Sequence, residues 1–550
     1  MFGRPAGPFL VAVELLAACG DGTAYRVPWD GPKQARPVCE RRPAGEMDAA
    51  TACVPAPTRD AEPKDARRPI SDAATASPDG ASADVRYMTA EELRDPATCK
   101  GCHPGHYREW SASMHAYAAL DPVFIAMNRR GQRETNGGLG DFCVRCHAPM
   151  AVADGLTSDG LNLDLLPDQK RGVSCYFCHN VVSIDAEHNG ELTIAGDNIM
   201  RGSIEDPAES RAHRSAYTDV FNHVKPDRNR MCGGCHDIVT PTGVHMERTF
   251  KEYKSGLFSH RPEPTAPTLE SCAGCHMPIR RGVAAVTPDR LPQRVLHEHL
   301  WPGIDVALTD FPHKSAMRSA IEDCQLGTAS VAYFTLEVTP PNVFTFKLET
   351  NAGHSQPSGA AQDRRMWLEV SSFDEEGNLI EASSSGTIGD GEIEDKPSDD
   401  PLYDPRLWLF RDRIFRANGQ STHLFWEAAP SQLHPSGYES NLLAVRKDDL
   451  GYGTHFIEKV YELNGANGGA VPARVTARLR IRPIGMDVLS ELVSSGDLDP
   501  SVVSQIPTFT FRAQIEWNRA DAFSTIAATA NSDCQMYRCL LDSEAPGCRF

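Results

Sequence analysis

Five pentapeptides in the sequence share one spacing of cysteine and histidine. Each has two cysteines separated by two residues, and a histidine directly after the second cysteine. In chain order, motifs 1 to 5 comprise Cys99, Cys102 and His103; Cys143, Cys146 and His147; Cys175, Cys178 and His179; Cys232, Cys235 and His236; and Cys272, Cys275 and His276. Thiols and imidazoles in this pattern can bind zinc, form a redox-active dithiol or attach haem.

Covalent haem attachment accounts for every feature of the pattern. Zinc sites need four ligands per metal, usually from two cysteine pairs, and five pairs fit that rule badly. A redox dithiol needs one pair within a βαβ context. Two thiols separated by two residues can instead reach both vinyl groups of one porphyrin, while the adjacent histidine binds the iron. The sequence therefore predicts five haem c groups, held by the ten cysteines, with the five motif histidines as proximal ligands.

The motifs are crowded into the segment 99–276. That leaves roughly 40 residues for each haem, which is too few for a separate apolar core. The porphyrins must therefore supply much of the buried apolar surface. We predict a loop- and helix-rich cytochrome c domain over 86–307, in which closely packed haems can pass electrons between neighbours.

The residues around the motifs resemble the multihaem c-type cytochromes related to hydroxylamine oxidoreductase and octahaem tetrathionate reductase. The stretches CHPGHYREWSASMHA, GVSCYFCH, CGGCHD, ERTFKEYKSG and SCAGCHMP carry the resemblance, which spans Tyr87 to Trp426. In that grouping, a tryptophan and then a serine–histidine element follow the first motif on a helix, and this histidine binds another haem. His115 matches that place, and Trp110 is expected to pack on porphyrin.

The resemblance also implies further distal ligands, which occupy the iron position opposite the proximal histidine. His213 is one candidate, His299 or its neighbour His297 another, and His354 a third. No fifth distal ligand stands out, because four histidines compete for that place: His106, His188, His223 and His245. A second histidine gives a closed iron that only moves electrons, whereas an open position allows substrate to bind.

The second half of the chain changes to a period of two. Apolar residues alternate with polar ones in NVFTFKLET, RVTARLRIR and TFTFRAQIEW, and turn sequences such as DEEGN separate the strands. This alternation is typical of half-buried antiparallel strands. We therefore predict an α+β protein in which an antiparallel β-sandwich-like domain over 308–530 follows the cytochrome domain.

The N-terminus has the features of an exported, lipid-anchored protein. An apolar run from Phe9 to Ala18 ends in Leu-Ala-Ala-Cys, which resembles a bacterial lipoprotein signal with Cys19 as the acylated residue. Residues 1–19 are thus a predicted signal peptide, and the Pro-, Ala- and Asp-rich segment 20–85 is a predicted disordered linker. We expect a periplasmic or outer-membrane-associated lipoprotein of a Gram-negative bacterium.

The remaining cysteines fit an oxidising compartment. Without Cys19, six cysteines lie outside the motifs, an even number that allows three disulfides. They are Cys39, Cys53, Cys324, Cys534, Cys539 and Cys548, of which the last three lie in a predicted Cys-containing tail over 531–550.

Charge and composition narrow the choice of function. The net charge of −19 excludes nucleic acid as a partner, since neutralising phosphates needs a surplus of Lys and Arg. An electron carrier between redox proteins or membrane quinol oxidoreductases accounts for the sequence without a substrate site. The alternatives are a multihaem oxidoreductase acting on a small nitrogen or sulfur compound at one open iron, and an assembly subunit whose β-domain binds a partner.

Overall fold

The computed structural model describes most of the chain after residue 86. The described residues are 87–210, 212–221, 229–260, 271–277, 279–287, 291–326, 331–339, 342–350, 352–386, 393, 403–447, 456–463, 471–521 and 525–527, with the short strand pair 16–17 and 25–26. From Tyr87 onward they fall in one compact unit. Within these ranges, no helix is both long and apolar enough to cross a bilayer. Apart from Tyr25–Arg26, the predicted linker lies outside the described residues, as do the anchor Cys19 and the C-terminal tail.

Short helices make up most of the regular structure as far as Asn180. They are α1 (Ala90–Leu93), α2 (Pro104–Ser111), α3 (Met114–Tyr117), α4 (Pro122–Glu134), α5 (Val144–His147), α6 (Pro149–Ala153) and α7 (Cys175–Asn180). Helix α4 is the longest of these. It starts where the Asp121 carboxylate accepts the N–H groups of Val123 and Phe124, with Pro122 at its first position.

Two-stranded sheets and short helices of one or two turns lie between Val181 and the sandwich. The strands, including the N-terminal pair, are β1 (Leu16–Ala17), β2 (Tyr25–Arg26), β3 (Val181–Ile184), β4 (Leu192–Ile194), β5 (Ile199–Gly202), β6 (Arg214–Tyr217), β7 (Ile238–Val239), β8 (His245–Glu247), β9 (Ile279–Val283) and β10 (Gln293–His297). The helices are α8 (Arg230–Gly233), α9 (Thr249–Ser255), α10 (Leu257–His260), α11 (Cys272–His276) and α12 (Lys314–Ala320). Strands β5 and β6 pair in parallel, and the other pairs are antiparallel.

Two antiparallel sheets form the second half of the fold. Their strands are β11 (Val331–Thr339), β12 (Val343–Thr350), β13 (Arg365–Phe373), β14 (Trp408–Phe415), β15 (Ser421–Thr422), β16 (Tyr438–Asn441), β17 (Ile457–Glu462), β18 (Arg474–Arg482), β19 (Phe509–Asn518) and β20 (Thr525–Ala527). One sheet has the order β17-β12-β11-β20. The other has the order β15-β14-β13-β18-β19, with β16 also paired to β14.

The two sheets share one apolar core. Phe344 and Leu336 of the first sheet and Leu368 and Leu479 of the second are fully buried in the same cluster. The Phe344 ring meets the edge of Trp517 at 4.9 Å between centroids. The strands predicted from NVFTFKLET, RVTARLRIR and TFTFRAQIEW are β12, β18 and β19, and their alternate apolar residues point into this core. The predicted α+β class, with a helix-rich cytochrome region before antiparallel sheets, is confirmed.

Helix α4 joins the motif-bearing segment to the sandwich. Val123 and Ala126 lie in the sandwich core cluster. Arg130 pairs with Glu491 of α13 (Met486–Ser494), and Arg133 makes a bidentate ion pair with Asp497 beyond it. Helix α13 and the following α14 (Pro500–Val503) interrupt the strands between β18 and β19, and the sequence reading missed both.

The predicted boundary between residues 307 and 308 falls inside a packed region. Val306 and Leu308 occupy the same cluster as Val123 and the strand residues. Apolar contact therefore crosses this boundary, and the division into 86–307 and 308–530 stays a prediction.

The buried Leu368 provides a test of the sandwich core. We expect Leu368→Ala to lower the free energy of unfolding by about 2–5 kcal/mol, because it removes buried methyl groups and leaves a cavity. The matched change Leu433→Ala, at a side chain that is 76% exposed, should change it by at most about 0.5 kcal/mol. Guanidinium unfolding followed by circular dichroism compares the two, and equal midpoints would contradict the described core.

Candidate metal centres

Each motif lies in or directly beside a short helical segment. Helices α7 and α11 contain motifs 3 and 5 completely, whereas α5 begins after the first cysteine of motif 2 and α8 ends after the first cysteine of motif 4. A 3₁₀ turn over Pro96–Gly101 contains the first cysteine of motif 1. Ser174 and Ser271 cap α7 and α11, their hydroxyls accepting the N–H groups of Phe177 and Gly274. Residues three apart lie on the same face of a helical turn. Both cysteines of a motif can therefore reach one group, and the ten motif cysteines form no disulfides and are half-buried.

Main-chain carbonyls fix the orientation of the motif histidines. The Nδ1 atoms of His103, His147, His179 and His276 lie 2.8, 2.9, 2.6 and 2.8 Å from the carbonyl oxygens of Ala284, Ala118, Arg201 and Pro302. A carbonyl oxygen can only accept, so Nδ1 must carry the hydrogen. The lone pair of Nε2 is then left for a metal, as in other histidine-ligated sites.

Three of the predicted distal histidines have the same arrangement. Nδ1 of His299 lies 2.9 Å from the His297 carbonyl, and Nδ1 of His354 lies 2.9 Å from the Ser355 carbonyl. For His213 the acceptor is the Arg214 carbonyl at 3.1 Å. These imidazoles are thus also held with Nε2 available.

Four of the motif histidines face a second histidine. The ring centroids are 6.3 Å apart for His103 and His213, 6.3 Å for His179 and His299, 6.3 Å for His276 and His354, and 6.2 Å for His236 and His115. An iron bonded at about 2 Å to one nitrogen of each ring would hold the centroids roughly 6 Å apart. The four pairs therefore fit a metal bound between two imidazoles.

Motif 2 differs from the other four. The ring of His147 stacks on Phe124 of α4 at 3.8 Å with an interplanar angle of 5°. Within the described part of the chain, the ring partner of His147 is thus a phenylalanine. Nothing in the spacing of the sequence pointed to Phe124.

The four candidates for a fifth distal ligand occupy different surroundings. His245 has both nitrogens engaged, Nε2 with Asp237 at 3.1 Å and Nδ1 with Lys251 at 3.3 Å. His106 lies 4.5 Å from the ring of His299 and 6.4 Å from that of His103. His188 has a buried Nδ1 without a hydrogen-bond partner, and His223 lies outside the described residues.

Burial favours the neutral form of eight imidazoles at the candidate centres. It lowers the pKa of His115 to about 3 and the pKa of His147 and His276 to about 4. Burial is also the main cause of the lowered pKa of five further rings, those of His103, His179, His236, His299 and His354. The neutral imidazole is the form that binds a metal.

The cysteines show which motifs are neighbours. Thiols of different motifs lie close enough to shift one another's pKa in three pairs, namely Cys99 with Cys175, Cys146 with Cys235, and Cys232 with Cys272. Burial and then the nearby Cys235 and Cys232 thiols raise the pKa of Cys178 to about 12. Motif 1 therefore adjoins motif 3, and motif 4 adjoins motifs 2, 3 and 5.

These contacts do not assemble a zinc site. In the described ranges, the one group of three ligand atoms within 4.8 Å of one another comprises His106, Glu109 and His299 and contains no cysteine. Four-cysteine zinc binding would require sulfurs gathered in fours. The arrangement fits two attachment points for each prosthetic group better.

Glu109 is a site residue that the sequence reading missed. Its carboxylate accepts the backbone N–H of His299 at 3.0 Å and contacts Nδ1 of His106 at 3.2 Å, with Arg280 3.6 Å away. It lies six residues after motif 1, yet it positions the partner of motif 3. Glu109 comes beside His299 through the folding of the chain, and its spacing from motif 1 does not indicate this contact.

Trp110 lies where two centres meet. Its indole N–H donates to the Val173 carbonyl at 2.8 Å, and the Val173 N–H donates to the His115 carbonyl at 2.8 Å. Gly172 has φ +104, and a β-carbon there would lie 2.7 Å from the His115 carbonyl oxygen. Glycine thus allows the segment before motif 3 to approach His115 closely. The expected packing of Trp110 on porphyrin stays a prediction.

Comparison with known proteins agrees with this geometry. Residues 98–180, which contain motifs 1 to 3, match the family described as cytochrome c554 and c-prime. No curated protein sequence matches the chain. Among solved structures, the chain is similar to a penta-haem cytochrome c552 from Thermochromatium tepidum, with a TM-score of 0.51 and 19% identity over 76% of this chain and 97% of that chain. The likeness extends the shared fold well beyond 98–180. The family match of residues 98–180 indicates a c-type cytochrome region, for which haem c is the implied cofactor.

Proposed function

We propose that this protein is a pentahaem c-type cytochrome that transfers electrons between redox partners. The observation that carries the proposal is the set of four imidazole pairs at 6.2–6.3 Å, each joining a motif histidine to a distant histidine. A haem bound at each motif would supply a one-electron iron couple. The paired histidines would close both axial positions at motifs 1, 3, 4 and 5, which favours electron transfer over substrate binding at those places.

The contacts between motifs support a relay. Motif 4 touches motif 2 through Cys235, motif 5 through Cys232, and lies beside Cys178 of motif 3. Motif 1 joins the set through Cys99 and Cys175. Groups attached at these cysteines would be immediate neighbours, with motif 4 at the branch point and motifs 1, 2 and 5 at the ends.

The environment of His147 supports a second candidate function. The resemblance to hydroxylamine oxidoreductase and octahaem tetrathionate reductase suggests an oxidoreductase of small nitrogen or sulfur compounds. Such an enzyme needs one iron with a free axial position. Motif 2 is the place for it, because among the described residues His147 has Phe124 stacked on its face and no facing histidine about 6 Å away, unlike the other four motif histidines.

Export and anchoring complete the proposal. The Leu-Ala-Ala-Cys sequence ending at Cys19 supports a lipoprotein signal, and covalent haem attachment agrees with a periplasmic or outer-membrane location. Redox proteins or a membrane quinol oxidoreductase would then be accessible partners. Cys19 lies outside the described residues.

Haem content and spin state test the central proposal. We expect holo-protein from a host with c-type maturation to contain five haems per chain by pyridine haemochrome assay and mass spectrometry. The oxidised protein should show four low-spin centres and one high-spin centre in electron paramagnetic resonance. A high-spin signal that shifts with nitrite, hydroxylamine or sulfite would favour the oxidoreductase. A colourless product, or one with the mass of the bare chain, would refute both functions.

His354 provides a test of the ligand pairs. We expect His354→Ala to convert one further centre from low spin to high spin, because motif 5 loses its second imidazole. The control His434→Ala removes a ring that stacks on Phe415, and it should leave the spin states unchanged. An unaltered spectrum in the His354 variant would exclude this residue as a ligand.

The anchor has a separate test. Labelled palmitate should be incorporated into the wild-type protein, and Cys19→Ala should abolish the label and release the protein from the membrane fraction. Release of the wild-type protein in soluble form would contradict the anchor without affecting the haem centres.

A further inference from the structure

A loop beside motif 2 exposes three leucines within ten residues. Between Asp154 and Asp168, a segment that we call the leucine loop, Leu156 is 41% exposed, Leu161 48% and Leu165 80%. Single exposed apolar side chains are ordinary on a protein surface, whereas a local group of them marks an interaction site.

The leucine loop is held in place by helix α4. The side-chain amides of Asn128 and Gln132, both buried, donate to the Asp159 carbonyl at 2.9 and 3.0 Å. Gly160 has φ +71 and packs so closely against Val144 that a β-carbon would clash with it. The leucines are therefore exposed from an ordered segment, so a partner would meet a surface that needs little ordering.

The inner side of the loop packs on motif 2. Leu163 and Leu166 are buried in one cluster with Val144 and Ala148. Val144 lies between the two cysteines of motif 2, so the loop that carries the exposed leucines packs against this motif. Among the contacts between described motif cysteines, motif 2 adjoins motif 4 alone. Motif 2 therefore lies at one end of the series of neighbouring motifs.

Carboxylates surround the exposed leucines. Asp164 and Asp168 are exposed, and Asp159 is half-buried beside them. The cations of this segment contact the loop itself: Lys170 is buried against Asp154 at 2.6 Å, and Arg171 donates to the carbonyls of Asp164 and Leu166 and lies 3.6 Å from the exposed Asp168 carboxylate. A groove of about 610 Å³ next to the leucines is lined by Asp141 and Asp159 as well as Leu156 and Asn162. The outward face is thus apolar with an acidic rim.

We propose that the leucine loop is the docking surface for a small basic redox protein whose cofactor edge is surrounded by lysines or arginines. This proposal rests on the electron-transfer function. An apolar centre with an acidic rim is complementary to an apolar cofactor edge with a basic rim, and opposite charges steer such encounters. A second copy of this chain, at net charge −19, and an anionic membrane surface would both be repelled.

The test uses holo-protein with mitochondrial cytochrome c, a basic monohaem protein, as the probe. We expect the double variant Asp164→Lys/Asp168→Lys to weaken binding by surface plasmon resonance at least tenfold at low ionic strength and to reduce its dependence on salt. Leu161→Ser/Leu165→Ser should weaken binding to a similar extent while keeping the salt dependence. The rate of electron transfer to the probe should fall in parallel.

Matched controls lie on the sandwich. Glu376→Lys and Leu433→Ser change an exposed carboxylate and an exposed leucine far along the chain, and both should bind as the wild type does. Wild-type protein that does not bind the probe, or loop variants that bind as well as the controls, would overturn the proposal.

Reduction by photoreduced riboflavin separates this proposal from the electron-transfer function. A small reductant has no need of a docking surface, so its rate should be the same in all variants. If riboflavin leaves the wild-type haems oxidised, the electron-transfer function fails. If all variants are reduced normally while binding is unchanged, the docking surface fails and the function stands.

Discussion

The structure depends on the hydrogen bond from a histidine Nδ1 to a main-chain carbonyl. An imidazole on a short helix can rotate about two bonds, and an unfixed ring would not keep Nε2 in one direction. Seven rings of the candidate centres are fixed by carbonyl acceptors in this way. For His103 the acceptor comes from Ala284, 181 residues further along the chain. The motifs are thus local, but their geometry is set by the fold.

One short segment serves three centres at once. The ring of His299 faces that of His179, and the Pro302 carbonyl fixes His276. Between them, Trp301 presents its ring edge-on to His115 at 4.6 Å and to His299 at 5.1 Å. Trp301 has φ +48, which is uncommon for a bulky residue and costs of order 1 kcal/mol or more. The contacts on both sides of the indole offset this cost, so packing at the centres overrides backbone preference.

The sequence predicts what depends on neighbouring residues and misses what depends on the fold. The attachment motifs are contained in five residues each, and the strands β12, β18 and β19 follow from alternation that matches the pleat. The partners of motif histidines lie about 80 to 120 residues away, so spacing alone does not identify them; the resemblance to known cytochromes was needed to suggest His213, His299 and His354. Phe124 and Glu109 carry no sequence signal, because each gains its role from a contact made in the folded chain, Phe124 with His147 and Glu109 with His299. Helices α13 and α14 were not predicted, because they are short segments between two strands, where a loop is the usual expectation.

Helix α4 explains why motif 2 departs from the other four. Phe124, Asn128 and Gln132 are four residues apart and so share one face, which stacks on His147 and holds the leucine loop. Val123 and Ala126 pack into the sandwich core, Arg130 pairs with Glu491 of α13, and Arg133 pairs with Asp497 beyond that helix. A single helix therefore places an aromatic ring beside the motif histidine and an ordered apolar loop above the same motif. The aromatic ring beside His147 and the ordered leucine loop both depend on α4. A change in the packing of α4 on the sandwich would therefore alter the environment of His147 and the exposed leucines together. The β-sandwich thereby acts as the support on which the surface of motif 2 is built.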